Sequence, residues 1–486
     1  MRLFLLPSVQ QQLPAMSDSR TVCVISLGCP KNLVDSEHIL GVLARAGWRI
    51  AAAPELADVI IVNTCGFLQS ARDEAFSVVA ETLGRLRPEQ QVAVAGCLVQ
   101  RELPELRRRF PRVGRFVGID GIPDLPRILA RADLQEPGQS AVGSLQSAIC
   151  DPLPLPSRVC GATLPRLVST PRHYAYLRIA DGCDNCCAYC LIPGIRGRLR
   201  SRSIADIVRE AAMLARNGAR ELILIAQDTT IYGKDIDGRQ LLAPLLRRLA
   251  GVAGIEWLRV LYTHPAHFTP DILDELATND RVVKYVDLPL QHVSDRLLRR
   301  MNRGYQRAEA EALLECLHRI PGMAVRTTFI TGLPGETESE FTELLAFVRA
   351  GHFAHVGCFA YSPEPGTPAA RMKTQVPARI REERAREIVA AQRRVSLARN
   401  RALVGRTVEV RIDSHNPNRG EYLGRTCADA PEIDNAVHVS GRGLKTGDLV
   451  ATEVIRAGAY DLWTTVQCGM RNVECGMPDS TFRTPH

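Results

Sequence analysis

YAYLRIADGCDNCCAYC, residues 174–190, runs an apolar strand candidate straight into a loop with Cys183, Cys187 and Cys190 at the spacing C-x3-C-x2-C. A loop this short places three thiols around one small volume. Thiolates are soft donors and favour zinc or iron–sulfur chemistry. Zinc wants a fourth ligand. Cys186 is the neighbour, but adjacent Cys186 and Cys187 cannot easily point at the same ion. Three cysteines fit a [4Fe–4S] cluster with one iron left open, whereas ordinary clusters take four.

Outward from this loop, apolar runs recur through the next two hundred residues. After YAYLRIA come ELILIAQ (221–227), WLRVLY (257–262), KYVDLPL (284–290), VRTTFIT (325–331) and HVGCFAY (355–361), with helical patterns between them. Six such strands predict a partial or full parallel β/α barrel. The cysteine loop then sits at the carboxyl end of the first strand, where barrel active sites form. After the fifth strand, FITGLPGETE (329–338) supplies Gly332 and Gly335, which allow close backbone approach to a ligand.

The N-terminal region repeats a second pattern. TVCVISLG, DVIIVNT and QVAVAG are Val/Ile-rich runs of the kind buried on both faces of a parallel sheet, separated by helical stretches. Each run ends in a cysteine: Cys29, Cys65 and Cys97. In an open parallel sheet the carboxyl ends of neighbouring strands face one crevice, so these three thiols are expected to converge. Cys23, Cys316, Cys358 and Cys427 read as core residues, and Cys150, Cys160, Cys468 and Cys475 fall in a linker and a tail.

The remaining organisation follows from composition. The chain has 486 residues, 45% hydrophobic, with a net charge of +8, which suits several globular domains and excludes a disordered chain. Fifteen cysteines in a chain this long argue for metal or redox chemistry over a disulfide scaffold. No apolar run reaches the ~20 residues of a membrane span, and the start lacks the form of a signal peptide, so a cytoplasmic protein is expected. The expected fold class is α/β with a small all-β end. It comprises an extension at 1–20, a parallel-sheet domain at 21–132, a Pro/Gly/Ser-rich linker at 133–168, the barrel at 169–400, a small antiparallel β-barrel at 401–466 and a tail at 467–486.

CxxxCxxC after the first strand of a β/α barrel, with Tyr189 before the last cysteine, resembles the radical S-adenosylmethionine (SAM) superfamily. With a three-cysteine domain before it and a small β domain after it, the chain resembles the methylthiotransferases, in which that last domain is called TRAM. The resemblance implies two [4Fe–4S] clusters, with SAM as both methyl donor and radical source. Cys183, Cys187 and Cys190 would ligate the SAM-binding cluster, and Cys29, Cys65 and Cys97 a sulfur-bearing one. Gly332, Gly335 and Glu336 would shape the SAM pocket; Asp228 and His292 end barrel strands and would line the active site. It further implies an electron donor such as flavodoxin or ferredoxin, a sulfur source and no membrane.

SLGCPKNLVDSE (26–37), PLQHVSDRLLRRMNRG (289–304) and ADAPEID (428–434) resemble the methylthiotransferases that modify an aspartate β-carbon of the small-subunit ribosomal protein numbered twelve. Enzymes directed at tRNA adenosine are the alternative, and a zinc-stabilised RNA-binding protein is a third reading. Charge bears on the choice. An RNA-binding β module should be basic, yet residues 405–461 hold seven Arg/Lys and nine Asp/Glu. The acidic ADAPEID run is expected to face outward, toward a basic protein.

Overall fold

The computed structural model describes residues 4–5, 20–130, 153–416 and 420–466; most of the expected extension, residues 131–152 of the linker, and the tail lie outside them. Two compact units emerge: Met1–Thr170 with Ala180–Asp184 and Cys190–Arg202, and Pro171–Ile179 with Asn185–Tyr189 and Ser203–His486.

In the first unit, β1 (Phe4–Leu5), β2 (Thr21–Ser26), β3 (Arg49–Ile50), β4 (Val59–Thr64), β5 (Gln91–Gly96) and β6 (Arg115–Val117) form one sheet in the order β1-β2-β4-β5-β6, with β3 beside β2. All pairings except β1–β2 are parallel. The apolar runs are continuous because both faces are covered. Ile25, Ile60, Val62, Val92 and Val94 pack on one face with Phe76, Val79 and Leu103. Val24, Val59, Ile61 and Ala93 pack on the other with Ile39, Leu43 and Leu125. The described part of the expected linker is not free: Leu153 joins the first cluster, and Leu164 and Leu167 pack against the second.

The first unit also holds a short ladder of β8 (Ala180–Asp181) and β9 (Arg200–Ser201), for which β7 (Tyr174–Arg178) of the second unit is the preceding strand. The second unit is built on β7, β10 (Glu221–Ile225), β11 (Trp257–Val260), β12 (Val282–Asp287), β13 (Ala324–Thr331) and β14 (His355–Ala360). These six lie in sequence order and pair in parallel, without closure between β7 and β14: a partial β/α barrel. The helix Ala378–Arg401 follows, with Ile388, Ala391 and Ser396 on its buried stripe.

The C-terminal strands β15 (Thr407–Asn416), β16 (Glu421–Arg425), β17 (Val437–Ser440), β18 (Leu449–Ala457) and β19 (Leu462–Val466) close into a barrel in the order β15-β16-β17-β19-β18. Val408, Val410, Ile412, Val439 and Val454 fill it. Closure removes exposed sheet edges from a module too small to cover them otherwise.

Candidate active site

The three strand-end cysteines of the first unit follow β2, β4 and β5. Gly28 (φ +93°) precedes Cys29, and Gly96 (φ +95°) precedes Cys97. Such a conformation favours glycine and lets the chain turn sharply between strand and helix. Helices start at Pro30 and at Cys97 itself. β2, β4 and β5 are adjacent, so the three cysteines share one sheet edge. A Cβ on Gly28 would stand 2.6 Å from the Cys65 Cβ, which measures how closely the first turn approaches the second. The thiols sense one another. Burial, then Cys29, pushes the Cys65 thiol up to about 11. Burial pushes Cys97 up to about 12, with Arg196 opposing and Cys65 and Cys29 adding. Buried thiols of this kind become thiolates only beside positive charge, and a metal supplies it. The donor set therefore fits an iron–sulfur cluster.

A residue absent from the sequence expectations completes this site. Arg196, 2% exposed, donates from Nη2 to Asp35 at 2.6 Å, Asn32 Oδ1 at 2.9 Å and the Cys97 sulfur at 3.2 Å, and from Nη1 to Asp181 at 3.0 Å. Burial opposes its charge, but Asp181, Cys97 and Asp35 hold it firmly protonated. Asn32 and Asp35 belong to the quoted CPKNLVD stretch. Asn32 Nδ2 also donates to the carbonyls of Leu27 and Thr64, tying the first two turns together. Only the motif's resemblance signalled these two residues; Arg196 gave no signal, because a lone arginine after a cysteine loop has no spacing that marks it.

In the second unit, the middle of the Cys183–Cys190 loop is pinned from two sides. Ala188 N donates to the Met301 carbonyl and Ala369 N to the Ala188 carbonyl, both at 2.9 Å. Buried Arg303 reaches the Cys187 sulfur at 3.5 Å, the Tyr189 hydroxyl at 3.4 Å and the Pro289 carbonyl at 2.8 Å. Cys186 is exposed, and its carbonyl accepts from Asn302. Cys183 and Cys190 belong to the first unit, where Cys183 N donates to the Gly197 carbonyl.

The remaining expected site residues are buried. Asp228, just beyond β10, accepts from Asn185 Nδ2 at 2.7 Å, from His267 Nδ1 at 2.8 Å and from the Thr230 hydroxyl. Burial works against its charge, but His267, His264 and Thr230 hold it below the usual carboxylate range. His292 lies beyond β12. Its Nδ1 accepts from Ser294 N at 3.0 Å, so the proton sits on Nε2, 3.8 Å from Glu336. Burial pushes His292 down to about 4, leaving it neutral near pH 7. Glu336 accepts from Gly332 N at 2.7 Å and from Arg384 at 2.8 Å, which fixes the GLPGE turn. Gly332 (φ +75°) has no room for a Cβ, which would strike Arg381, and Gly335 (φ +79°) donates to the Thr374 carbonyl.

The charge reading of ADAPEID needs correction. Asp434 bonds the Tyr285 hydroxyl at 2.7 Å and Arg326 at 3.2 Å, and its side chain is 2% exposed. Asp429 is buried against Thr426 and His355. Both carboxylates turn inward because the barrel offers them Arg326 and His355, and only Glu432 of the acidic residues in the run is exposed. The run therefore docks the module within its own unit and does not present an acidic face outward.

Comparison with known proteins agrees with these features. Residues 177–348 match the radical SAM superfamily, 21–118 match uncharacterized protein family UPF0004, and 404–466 match the TRAM domain. Among solved structures, the radical S-adenosylmethionine methyltransferase TsrM from Kitasatospora setae shares the fold, with a TM-score of 0.54 at 16% identity, covering 72% of this chain and 77% of that one. Fold and cysteine pattern together define a radical SAM enzyme that uses SAM and [4Fe–4S] clusters. Ribosomal protein uS12 methylthiotransferase RimO of Anaeromyxobacter sp. (strain K) is 44% identical over 90% of this chain and 91% of its own. That of Trichlorobacter lovleyi is 41% identical over 91% and 97%. The chain belongs to the RimO family of methylthiotransferases.

Proposed function

We propose that this protein attaches a methylthio group to the β-carbon of an aspartate in ribosomal protein uS12. The observation that carries the reading is 44% identity to a uS12 methylthiotransferase along 90% of the chain. The β C–H of aspartate is not acidic enough for base chemistry near neutral pH, which is why a radical route is needed. When bound, the two [4Fe–4S] clusters supply one-electron cleavage of SAM and the sulfur to be transferred.

The chain's own residues position these partners. Cys183, Cys187 and Cys190 hold the SAM-binding cluster, with Arg303 setting the loop against β12's exit. Cys29, Cys65 and Cys97 hold the sulfur-bearing one. Glu336 keeps the Gly332–Gly335 turn in the shape that receives SAM. Asp228 orients Asn185 and His267 at the end of β10. Neutral His292 keeps a proton on Nε2 without adding charge near Glu336. The domain limits are those of the sequence reading, with TRAM at 401–466.

No helix among the described residues is long and apolar enough to cross a membrane. The substrate is cytoplasmic uS12, free or on the ribosome. The electron donor is a flavodoxin or ferredoxin, and a separate source replenishes sulfur. Mass spectrometry of uS12 peptides and digested tRNA from cells with and without the gene tests the reading. Loss of the methylthio mass on the aspartate peptide alone supports it; loss from a tRNA adenosine instead moves the substrate to RNA.

A further inference from the structure

Arg196 ends the short helix Ile192–Arg196, six residues after Cys190, and its neighbour Ile195 packs against Cys97. Asp35 and Asp181 already supply two carboxylates for its one positive charge. With that charge balanced, the guanidinium still has N–H donors to place, and one from Nη2 reaches the Cys97 sulfur at 3.2 Å. Asn32 Oδ1 also lies 3.4 Å from that sulfur, an acceptor to which only a protonated thiol can donate. Once Cys97 is a thiolate, that bond is lost and Arg196 is the donor in place. The fork geometry of a guanidinium lets one nitrogen face Asp181 while the other faces Asp35, Asn32 and the sulfur. Hydrogen bonds to the sulfurs and net charge are what set the potential of an iron–sulfur cluster.

We propose that Arg196 is a positioning residue of the Cys29, Cys65 and Cys97 centre, and that its Nη2 hydrogen bond to Cys97 makes the cluster held there easier to reduce. This rests on the reading that these three cysteines hold a [4Fe–4S] cluster. Asp35 opposes the effect by drawing the guanidinium charge away from the sulfur. Arg196 and Asp35 therefore tune the centre in opposite directions.

The test uses the full chain carrying Cys183→Ala, Cys187→Ala and Cys190→Ala, reconstituted anaerobically, so that iron and the reduced-cluster magnetic signal come from one centre. Arg196→Met should make reduction at least tenfold less favourable, a shift of about 59 mV downward for one electron. Asp35→Asn should shift the potential upward, and Arg196→Lys, which keeps charge without the fork, should fall between parent and Arg196→Met. Unchanged potentials with full iron in Arg196→Met and Asp35→Asn, or shifts of the same sign, overturn the inference. If Arg196→Met loads no iron, the other two variants decide by the same signs. A parent with no iron overturns the cluster reading and this inference with it; a parent with iron and unmoved potentials overturns the inference alone.

Discussion

Arg166 and Glu37 form an ion pair at 2.6 Å with both side chains almost wholly buried, 4% and 0% exposed. Glu37 also accepts from Ser169 N and its hydroxyl, each at 2.7 Å. A segment that composition marks as linker is thus strapped onto the helix Pro30–Arg45, the helix that Cys29 caps.

The strap gives helix and linker opposite demands at Gly41. In an isolated helix, Gly41→Ala would stabilise by about 1 kcal/mol. Here the new Cβ would stand 2.4 Å from the Pro165 carbonyl. We expect net destabilisation of about 1–3 kcal/mol, read from denaturant unfolding. Arg166→Met, which strands the Glu37 charge, should cost about 3–5 kcal/mol.

Gly28→Ala should act on the cluster site. It combines a strained φ of +93° with a Cβ placed 2.6 Å from the Cys65 Cβ, so Cys65 must move. The expected outcome is loss of about half of the iron of the anaerobic protein, matching Cys29→Ala, Cys65→Ala, Cys97→Ala, while the Cys183–Cys190 centre is kept. Full iron in the triple variant would exclude a second cluster there.

Acid should destabilise the second unit through two buried histidines. Burial holds His292 at about 4, and burial with Arg303 holds His264 at about 3. The unfolded chain takes up these protons near pH 6.5 and the native one does not, so the stability present above that pH is lost as pH falls toward 4 and 3. For His292 the full loss is about 3 kcal/mol, of which ~2 kcal/mol is gone by about pH 5. His292→Gln should show a smaller fall in unfolding midpoint between about pH 7 and 5 than the parent; equal falls would contradict the assignment.

Glu221 sits between Arg259 at 2.8 Å and Arg425 at 2.5 Å, with no member of the trio more than 2% exposed. Burial works against its charge, yet the two arginines hold its carboxyl down to about 2. Glu221→Gln removes the carboxylate that both buried arginines share, while Arg425 keeps Asp413 at 3.1 Å. We expect it to cost about 3–5 kcal/mol, seen as an early unfolding transition.

Much of this architecture was legible in the residues. All six barrel strands lie where their apolar runs predict, because short apolar runs recurring between helical patterns leave few alternatives to a parallel strand. The strand-end positions of Cys29, Cys65 and Cys97 were legible for the same reason: strand and turn repeat at one spacing. What escaped depended on contacts between distant segments. Arg196 meets Asp35 across 161 residues and Asp434 meets Arg326 across 108, and no local pattern marks either partner. Within the terminal barrel, the strand Leu462–Val466 takes its shape from pairing with β17 and β18, which its short sequence does not mark.

The most direct measurement is transfer to the substrate itself. Purified, iron-loaded protein is incubated anaerobically with uS12 from cells lacking the gene, SAM, a reductant and sulfide, and the aspartate peptide is weighed by mass spectrometry. The account predicts a methylthio group in place of one hydrogen with the parent protein, and none with Cys97→Ala or Cys187→Ala. An unmodified peptide from protein that holds both clusters and cleaves SAM would contradict it.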